Sequence, residues 1–311
     1  MIQSNKSIIT GLIGENPSTY SKSRIMWNFC FNILGIDAEY QTWDVHKFDL
    51  KDFLEELKSN EKVRGFNITN PYKDDSILFF ENIDDAALAI GGINTVVKRD
   101  KTKAYSTDGY GALKCFTEQG IEIKNSNLVV LGAGGAGSAI AVEAVKQGAN
   151  VTIINRTHDK TLKLKDRIQE FLHKNIVAVP LYQDKTYTNL SEKIKDIISN
   201  ANIIINTIDF EKRFEKELFP ESYYKTENKL SIMDAVYGHK SYILEYANKF
   251  NHKIIPGENM LVHQAVLGFH YMFDTEMETV EKLMKYAINK FDFKTPNEEI
   301  DKEAEEYKKS H

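Results

Sequence analysis

The stretch "GFNITNPYKDD", Gly65 to Asp75, gathers Asn67, Thr69, Asn70 and Lys73 into one polar run directly behind an extended pattern. Strand alternation points Asn67 and Thr69 to the same side, and Pro71 ends sheet hydrogen bonding and turns the chain. From these residues alone two readings stay open: an ordinary turn, because Asn, Pro and Lys are common turn residues, or a strand end that opens onto a site. The second stretch able to do chemistry is "VVLGAGGAGSA", in which Gly132, Gly134 and Gly137 stand in G-x-G-x-x-G spacing, with Gly135 and Ala136 between them. A strand precedes the glycines and a helix follows, so the spacing predicts a tight turn against which a dinucleotide pyrophosphate lies at the helix N-terminus. The next strand ends in Asn155, Arg156 and Thr157, with Lys160 one turn later. Cations and hydroxyls suit a 2'-phosphate, whereas NAD would call for a carboxylate there, so the expected cofactor is NADP (NADPH).

The elements that position these residues follow from hydrophobic periodicity. Strand-like and helix-like patterns alternate almost throughout, the mark of a parallel α/β architecture. One series runs from "SIITGLIG" to "KAYST", ending at Asp108, and a second begins at "NLVVLGAG" and reaches "HKIIPG". From Asn259 two helices are expected, the second with Val280, Leu283, Met284, Ala287 and Ile288 at helical spacing. Residues 292–311, rich in Glu and Lys, are expected as a charged, solvated tail. At 311 residues the chain has room for two domains. Its net charge of -5 argues against nucleic acid as a partner. Cys30 and Cys115 offer no disulfide framework, and no run approaches a membrane span, so a cytoplasmic protein without a membrane partner is expected. The apolar run Ile8 to Ile13 is too short for a convincing signal segment. His263 and His270 lack metal-ligand spacing, and no metal is expected.

Taken in order, "GLIG…YSKSRIMWN", "GFNITNPYK", "GGINTV", "STDGYG", "GAGGAG", "NRT", "DAVY" and "GENMLVHQA" together resemble the shikimate/quinate dehydrogenase family, over nearly the whole chain up to about Phe269. The resemblance implies an N-terminal α/β substrate domain of residues 1–107, completed by 258–291 as late helices return to it, and a Rossmann-type doubly wound NADP-binding domain of residues 108–257. It implies reduction of 3-dehydroshikimate to shikimate, a small-molecule substrate, by a monomer or homodimer. Position by position, Ser21 and Ser23 correspond to the pair that holds the substrate carboxylate, Thr69, Asn94 and Gln264 to ring-hydroxyl contacts, and Tyr237 to the tyrosine reaching the substrate from the cofactor side. Lys73 and Asp108 correspond to the catalytic pair. Chemistry agrees with the resemblance, because hydride arriving at a carbonyl carbon leaves an alkoxide that needs a proton or a positive charge in reach, and lysine supplies either.

Simpler roles remain open at each position: Ser21 and Ser23 as caps of the following helix, Asp108 as the cap of its own, and Gln264 as a surface residue. Arg24 stands where the family usually has proline, an extra cation expected beside the carboxylate site. "NTIDFEK", from Asn206, lacks the family's Pro-x-Gly-Met ending. Two further functions therefore stay in view: a paralogue acting on quinate or another ring hydroxy acid, and a non-catalytic NADPH-binding protein on the same scaffold.

Overall fold

Seven residues rich in β-branched side chains, Ile8–Gly14, form the first strand of the computed structural model, which describes residues 2–182, 193–209, 218–236 and 241–310. In chain order the described strands are β1 (Ile8–Gly14), β2 (Ala38–Asp44), β3 (Gly65–Ile68), β4 (Thr95–Lys98), β5 (Thr102–Tyr105), β6 (Asn127–Leu131), β7 (Asn150–Asn155), β8 (Val177–Pro180), β9 (Ile203–Asn206), β10 (Ser231–Asp234) and β11 (Lys253–Ile254). The described helices are α1 (Ser23–Leu34), α2 (Leu50–Ser59), α3 (Asp85–Ile90), α4 (Asp108–Thr117), α5 (Gly135–Lys146), α6 (His158–Leu172), α7 (Lys193–Ser199), α8 (Tyr242–Lys249), α9 (Asn259–Phe273), α10 (Met277–Lys290) and α11 (Asn297–Ser310). The chain divides into two units, the first made of Met1–Ala87, Gly92–Thr107 and Gln264–His311, the second of Leu88–Gly91 and Asp108–His263. None of the described helices is long and apolar enough to cross a membrane.

In the first unit the strand order is β2-β1-β3-β4-β5. β1 pairs in parallel with β2 and β3, but β4 runs antiparallel to both of its neighbours, so this sheet is mixed where alternation alone predicts a parallel one. The reason is local: only Arg99 to Lys101 separate β4 from β5, and so short a loop can do nothing but reverse the chain. Ile9, Ile13, Phe66 and Val96 from the sheet pack with Leu54 and Leu57 of α2. On α1, Trp27 and Phe31 stack against Phe269 of α9, with ring centroids 4.9 and 5.3 Å apart. Val280, Leu283, Met284 and Ala287 are the buried face of α10, while Ile288 is only half-buried.

Residues 292–311 are not a solvated tail. They contain α11, whose Ile300 and Ala304 are fully buried and whose Tyr307 packs on Phe29 and Tyr286. Positions 300, 304 and 307 follow helical spacing. Three apolar residues among so many Glu and Lys make a stripe too thin to stand out in the sequence.

In the second unit all pairings among the described residues are parallel, in the order β11-β10-β9-β6-β7-β8. β6 is flanked by β9 on one side and β7 on the other, so the crossovers diverge at its carboxyl end. That is where an open α/β sheet leaves a crevice for a ligand. The glycine loop lies directly after β6.

Candidate active site

A chain of buried hydroxyls and amides crosses the first unit. Ser23, the first residue of α1, has its side chain near the hydroxyl of Tyr40 on β2. Tyr40 is 1% exposed, and burial raises its pKa well above the ordinary phenol value. Its hydroxyl donates to Asn67 Oδ1 at 2.9 Å. Asn67 Nδ2 donates to Thr95 Oγ1 at 3.0 Å, and Thr95 Oγ1 to Asn94 Oδ1 at 2.9 Å. Asn94 Nδ2 donates to Thr107 Oγ1 at 3.1 Å, and Thr107 Oγ1 to Gln264 Oε1 at 3.2 Å. One sense of donation thus runs from Tyr40 to Gln264, satisfying groups whose desolvation would otherwise be costly. Gln264, half-buried on α9, belongs to this relay and is not a surface residue. Two of the residues expected from the sequence, Asn94 and Gln264, are joined here by Tyr40, Asn67, Thr95 and Thr107, and Ser23 stands near Tyr40. Asn67, Thr95 and Thr107 stand inside the stretches that carry the resemblance, whereas Tyr40 is one aromatic in an ordinary strand and gives no signal of its own.

Ser21 precedes α1, and its Oγ accepts the Ser23 N–H at 3.2 Å. It therefore acts locally as a turn-closing group as well as standing beside Ser23. Arg24 does not serve as an extra cation for a substrate carboxylate. Its guanidinium is bound to Asn297 Oδ1, to Phe293 O at 3.1 Å and to Thr295 O at 2.6 Å, all in the segment leading into α11. Five N–H donors in a planar fork match such a set of acceptors, which explains an arginine in the first turn of this helix.

The turn after β3 is fixed on several sides. Thr69 donates its N–H to Ile13 O at 2.8 Å and accepts from Tyr72 N. The Asn70–Pro71 bond is cis. Tyr72 turns inward, donating to Val45 O at 2.6 Å, and Lys73 O accepts the Ile93 N–H at 3.0 Å. Close approach needs Gly14, where a Cβ would come within 2.4 Å of Thr69 Cγ2. Lys73 is half-buried on this braced turn in the first unit. Asp108, 8% exposed, opens α4 and the second unit. Within that unit α4 lies tightly on α5: a Cβ on Gly109 would stand 2.2 Å from Ala139 O.

The second unit presents the glycine loop. Gly132 adopts φ +105°, and Gly137 packs so close to it that a Cβ would stand 2.3 Å from Gly132 O. Gly134 and Gly135, at the N-terminus of α5, would meet nothing within 4 Å. First and third glycines thus make the turn and the helix–strand contact, and the middle ones leave open space at the positive end of a helix. Ala136 is half-buried beside them. Thr207, unremarked in the sequence, ties the loop to β9: both its N–H and its Oγ1 donate to Leu131 O, at 2.9 and 2.8 Å. Asn206 and Asp234 join the ends of β9 and β10 through a 3.0 Å bond. Arg156, Thr157 and Lys160 are exposed where β7 gives way to α6, and Asn155 Nδ2 donates to Thr157 O at 2.9 Å. His263 Nε2 lies 2.9 Å from Glu118 Oε2. Tyr237 lies outside the described residues, as does the end of "NTIDFEK".

Residues 12–96 match the family model for the shikimate dehydrogenase substrate binding domain, and residues 108–225 match that for the alanine dehydrogenase/PNT C-terminal domain. Over 284 residues the chain is 34% identical to the shikimate dehydrogenase (NADP(+)) of Pyrococcus furiosus, covering 90% of this chain and 95% of the relative. The chain belongs to the shikimate dehydrogenase family. Two solved members of the family resemble it throughout. Shikimate 5-dehydrogenase from Listeria monocytogenes, in complex with shikimate and NAD, superposes with a TM-score of 0.77 at 26% identity, covering 91% of this chain and 99% of that one. The Thermus thermophilus enzyme, in complex with NADP(H) and shikimate, gives 0.70 at 26% identity, covering 90% and 99%. The family's two-part α/β fold, with a Rossmann-type parallel sheet, is the fold described above.

Proposed function

We infer that this chain is an NADP-dependent oxidoreductase that reduces 3-dehydroshikimate to shikimate, a step toward aromatic amino acids. The observation that carries the reading is the buried relay from Tyr40, near Ser23, to Gln264 in a chain of this family. A row of neutral hydroxyls and amides, each already oriented by its neighbour, suits a small ring acid bearing several hydroxyls. In this reading Ser21 and Ser23 hold the carboxylate, and Thr69, Asn94 and Gln264 take the ring hydroxyls.

The glycine loop fits a dinucleotide: open space lies at Gly134 and Gly135 on a helix N-terminus, and Arg156, Thr157 and Lys160 are exposed for a 2'-phosphate. When bound, NADPH supplies the hydride. Lys73 gives the proton to the ring oxygen as the carbonyl becomes a hydroxyl, and Asp108 is its catalytic partner by the match of motif positions to the family. In the reverse direction Lys73 takes that proton back. The residue roles rest on the match of motif positions to the family and on Lys73 standing on a braced turn directly after β3.

Substrate-dependent oxidation of NADPH by the purified chain tests the function, with 3-dehydroshikimate expected to turn over faster than 3-dehydroquinate. No turnover of either overturns the reading. Lys73→Ala is expected to lower turnover about 100- to 10,000-fold with NADPH affinity intact. Asp108→Asn is also expected to slow it, and the double variant to lose far less than the product of the single losses, because the two act as one unit. An active Lys73→Ala enzyme would remove the lysine from the chemistry.

A further inference from the structure

The two residues flanking Ser23 are both cations, and both are bound to the C-terminal segment of the same unit. Lys22 Nζ donates to Ile288 O at 3.4 Å, at the end of α10. Arg24 holds Phe293 O, Thr295 O and Asn297 Oδ1. One turn further along α1, Asn28 Nδ2 donates to the same Asn297 Oδ1 at 3.4 Å, and another turn on Asn32 Nδ2 donates to Asp301 Oδ1 at 2.6 Å. Arg24, Asn28 and Asn32 stand at i, i+4 and i+8, a polar stripe along one face of α1 that meets Asn297 and Asp301 at i and i+4 of α11.

Asn28 reaches in the other direction as well. β2 is an edge strand, and the Asn28 amide pairs with its outward backbone at Tyr40, accepting Tyr40 N at 2.7 Å and donating to Tyr40 O at 3.1 Å. Tyr40 is the residue whose hydroxyl donates to Asn67 and lies near the Ser23 side chain. A continuous set of contacts therefore leads from Asn297 through Arg24 to the first turn of α1, and from Asn297 through Asn28 to Tyr40.

We propose that the C-terminal segment is a positioning brace for the carboxylate end of the substrate, acting through Asn297 on Arg24 and Asn28 and through them on Ser23, Tyr40 and Asn67. Arg24, Asn28 and Asn297 are positioning residues: they touch neither substrate nor cofactor, and they set how well the serines and the relay are held for binding. The brace rests on the reading of Ser21 and Ser23 as the carboxylate pair. It acts on ground-state affinity, because it fixes groups that hold the substrate equally before and during hydride transfer.

The experiment compares Asn297→Ala, Arg24→Ala and Asn297→Asp with the parent enzyme, measuring KM for shikimate, KM for NADP, turnover, melting temperature and amide hydrogen exchange over residues 21–24. Asn297→Asp keeps the Oδ1 acceptor for both Arg24 and Asn28, and is expected to behave as the parent. Asn297→Ala and Arg24→Ala are expected to raise KM for shikimate roughly threefold to tenfold. Turnover and KM for NADP stay within twofold, and exchange over residues 21–24 speeds up. Lowered melting temperature with unchanged KM and unchanged exchange overturns the brace and leaves a fastening of α11 alone. A parent enzyme that fails to oxidise shikimate defeats the functional assignment, while exchange over residues 21–24 still decides whether Asn297 holds that turn.

Discussion

Arg156 and Gly134 show how far single positions carry the cofactor reading. Arg156 is exposed at the end of β7, and a charge-assisted bond to a phosphate contributes about 1.5–3 kcal/mol, so Arg156→Ala is expected to weaken NADPH about tenfold or more and to leave NADH nearly unchanged. Equal affinity of the parent for both cofactors, read by titration calorimetry, contradicts this. The glycines separate binding from stability. A methyl on Gly134 meets nothing within 4 Å, so Gly134→Ala should melt like the parent yet bind NADPH more weakly, because the new group occupies the space left for the pyrophosphate. A methyl on Gly137 collides with Gly132 O at 2.3 Å and should destabilise the protein by about 1–3 kcal/mol. Thermal melts and cofactor titrations of the two variants distinguish the roles. At this scale the sequence was informative wherever a residue type has a narrow physical use: glycines at fixed spacing, or a cation after a strand. Tyr40 was not legible, because a buried strand tyrosine usually means only packing, and its hydroxyl acquires a role from Ser23 and Asn67, distant in sequence. Arg24 was misread for the same reason, its partners lying some 270 residues on.

Among the elements, periodicity located the strands and most helices, since β-branched runs and amphipathic faces are written locally. What it could not supply was pairing direction, and β4 and β5 reverse because their connection is short. Nor did it disclose α11, whose stability comes from the α1 surface more than from its own apolar content. α10 is capped more visibly. Glu276 accepts N–H bonds from Glu278 and Thr279 at 2.9 and 2.6 Å, and its pKa lies below the ordinary carboxyl value, chiefly through the Thr279 side chain and then these backbone donors. A carboxylate with a lowered folded-state pKa stabilises fully above its unfolded pKa, about 4.3, and loses that contribution as pH falls through the lower folded value. The melting-temperature gap between the parent and Glu276→Ala should therefore be constant in neutral solution and close on acidification below about pH 4.3. A gap that persists at pH 2 would mean that Glu276 acts by packing.

For the whole molecule, the consequential feature is that the first unit is discontinuous in the chain while the second is nearly continuous. Residues 108–263 contain every described strand of the parallel sheet and the glycine loop, so this fragment is expected to fold alone and bind NADPH, as followed by circular dichroism and calorimetry. Residues 1–107 alone are expected not to fold, since Trp27 and Phe31 lose Phe269, and Phe29 loses Tyr286 and Tyr307. A cooperative melt of that fragment contradicts the expectation. On the ribosome this arrangement inverts the usual order, in which the earlier domain folds first. Translation proceeds at roughly 5–20 residues per second, so the half-built first sheet waits roughly 10–40 seconds, its aromatic face exposed, while the later-made unit closes ahead of it. The N-terminal residues are thus the last to find their partners, and for that interval they are the part of a newborn chain most in need of a chaperone.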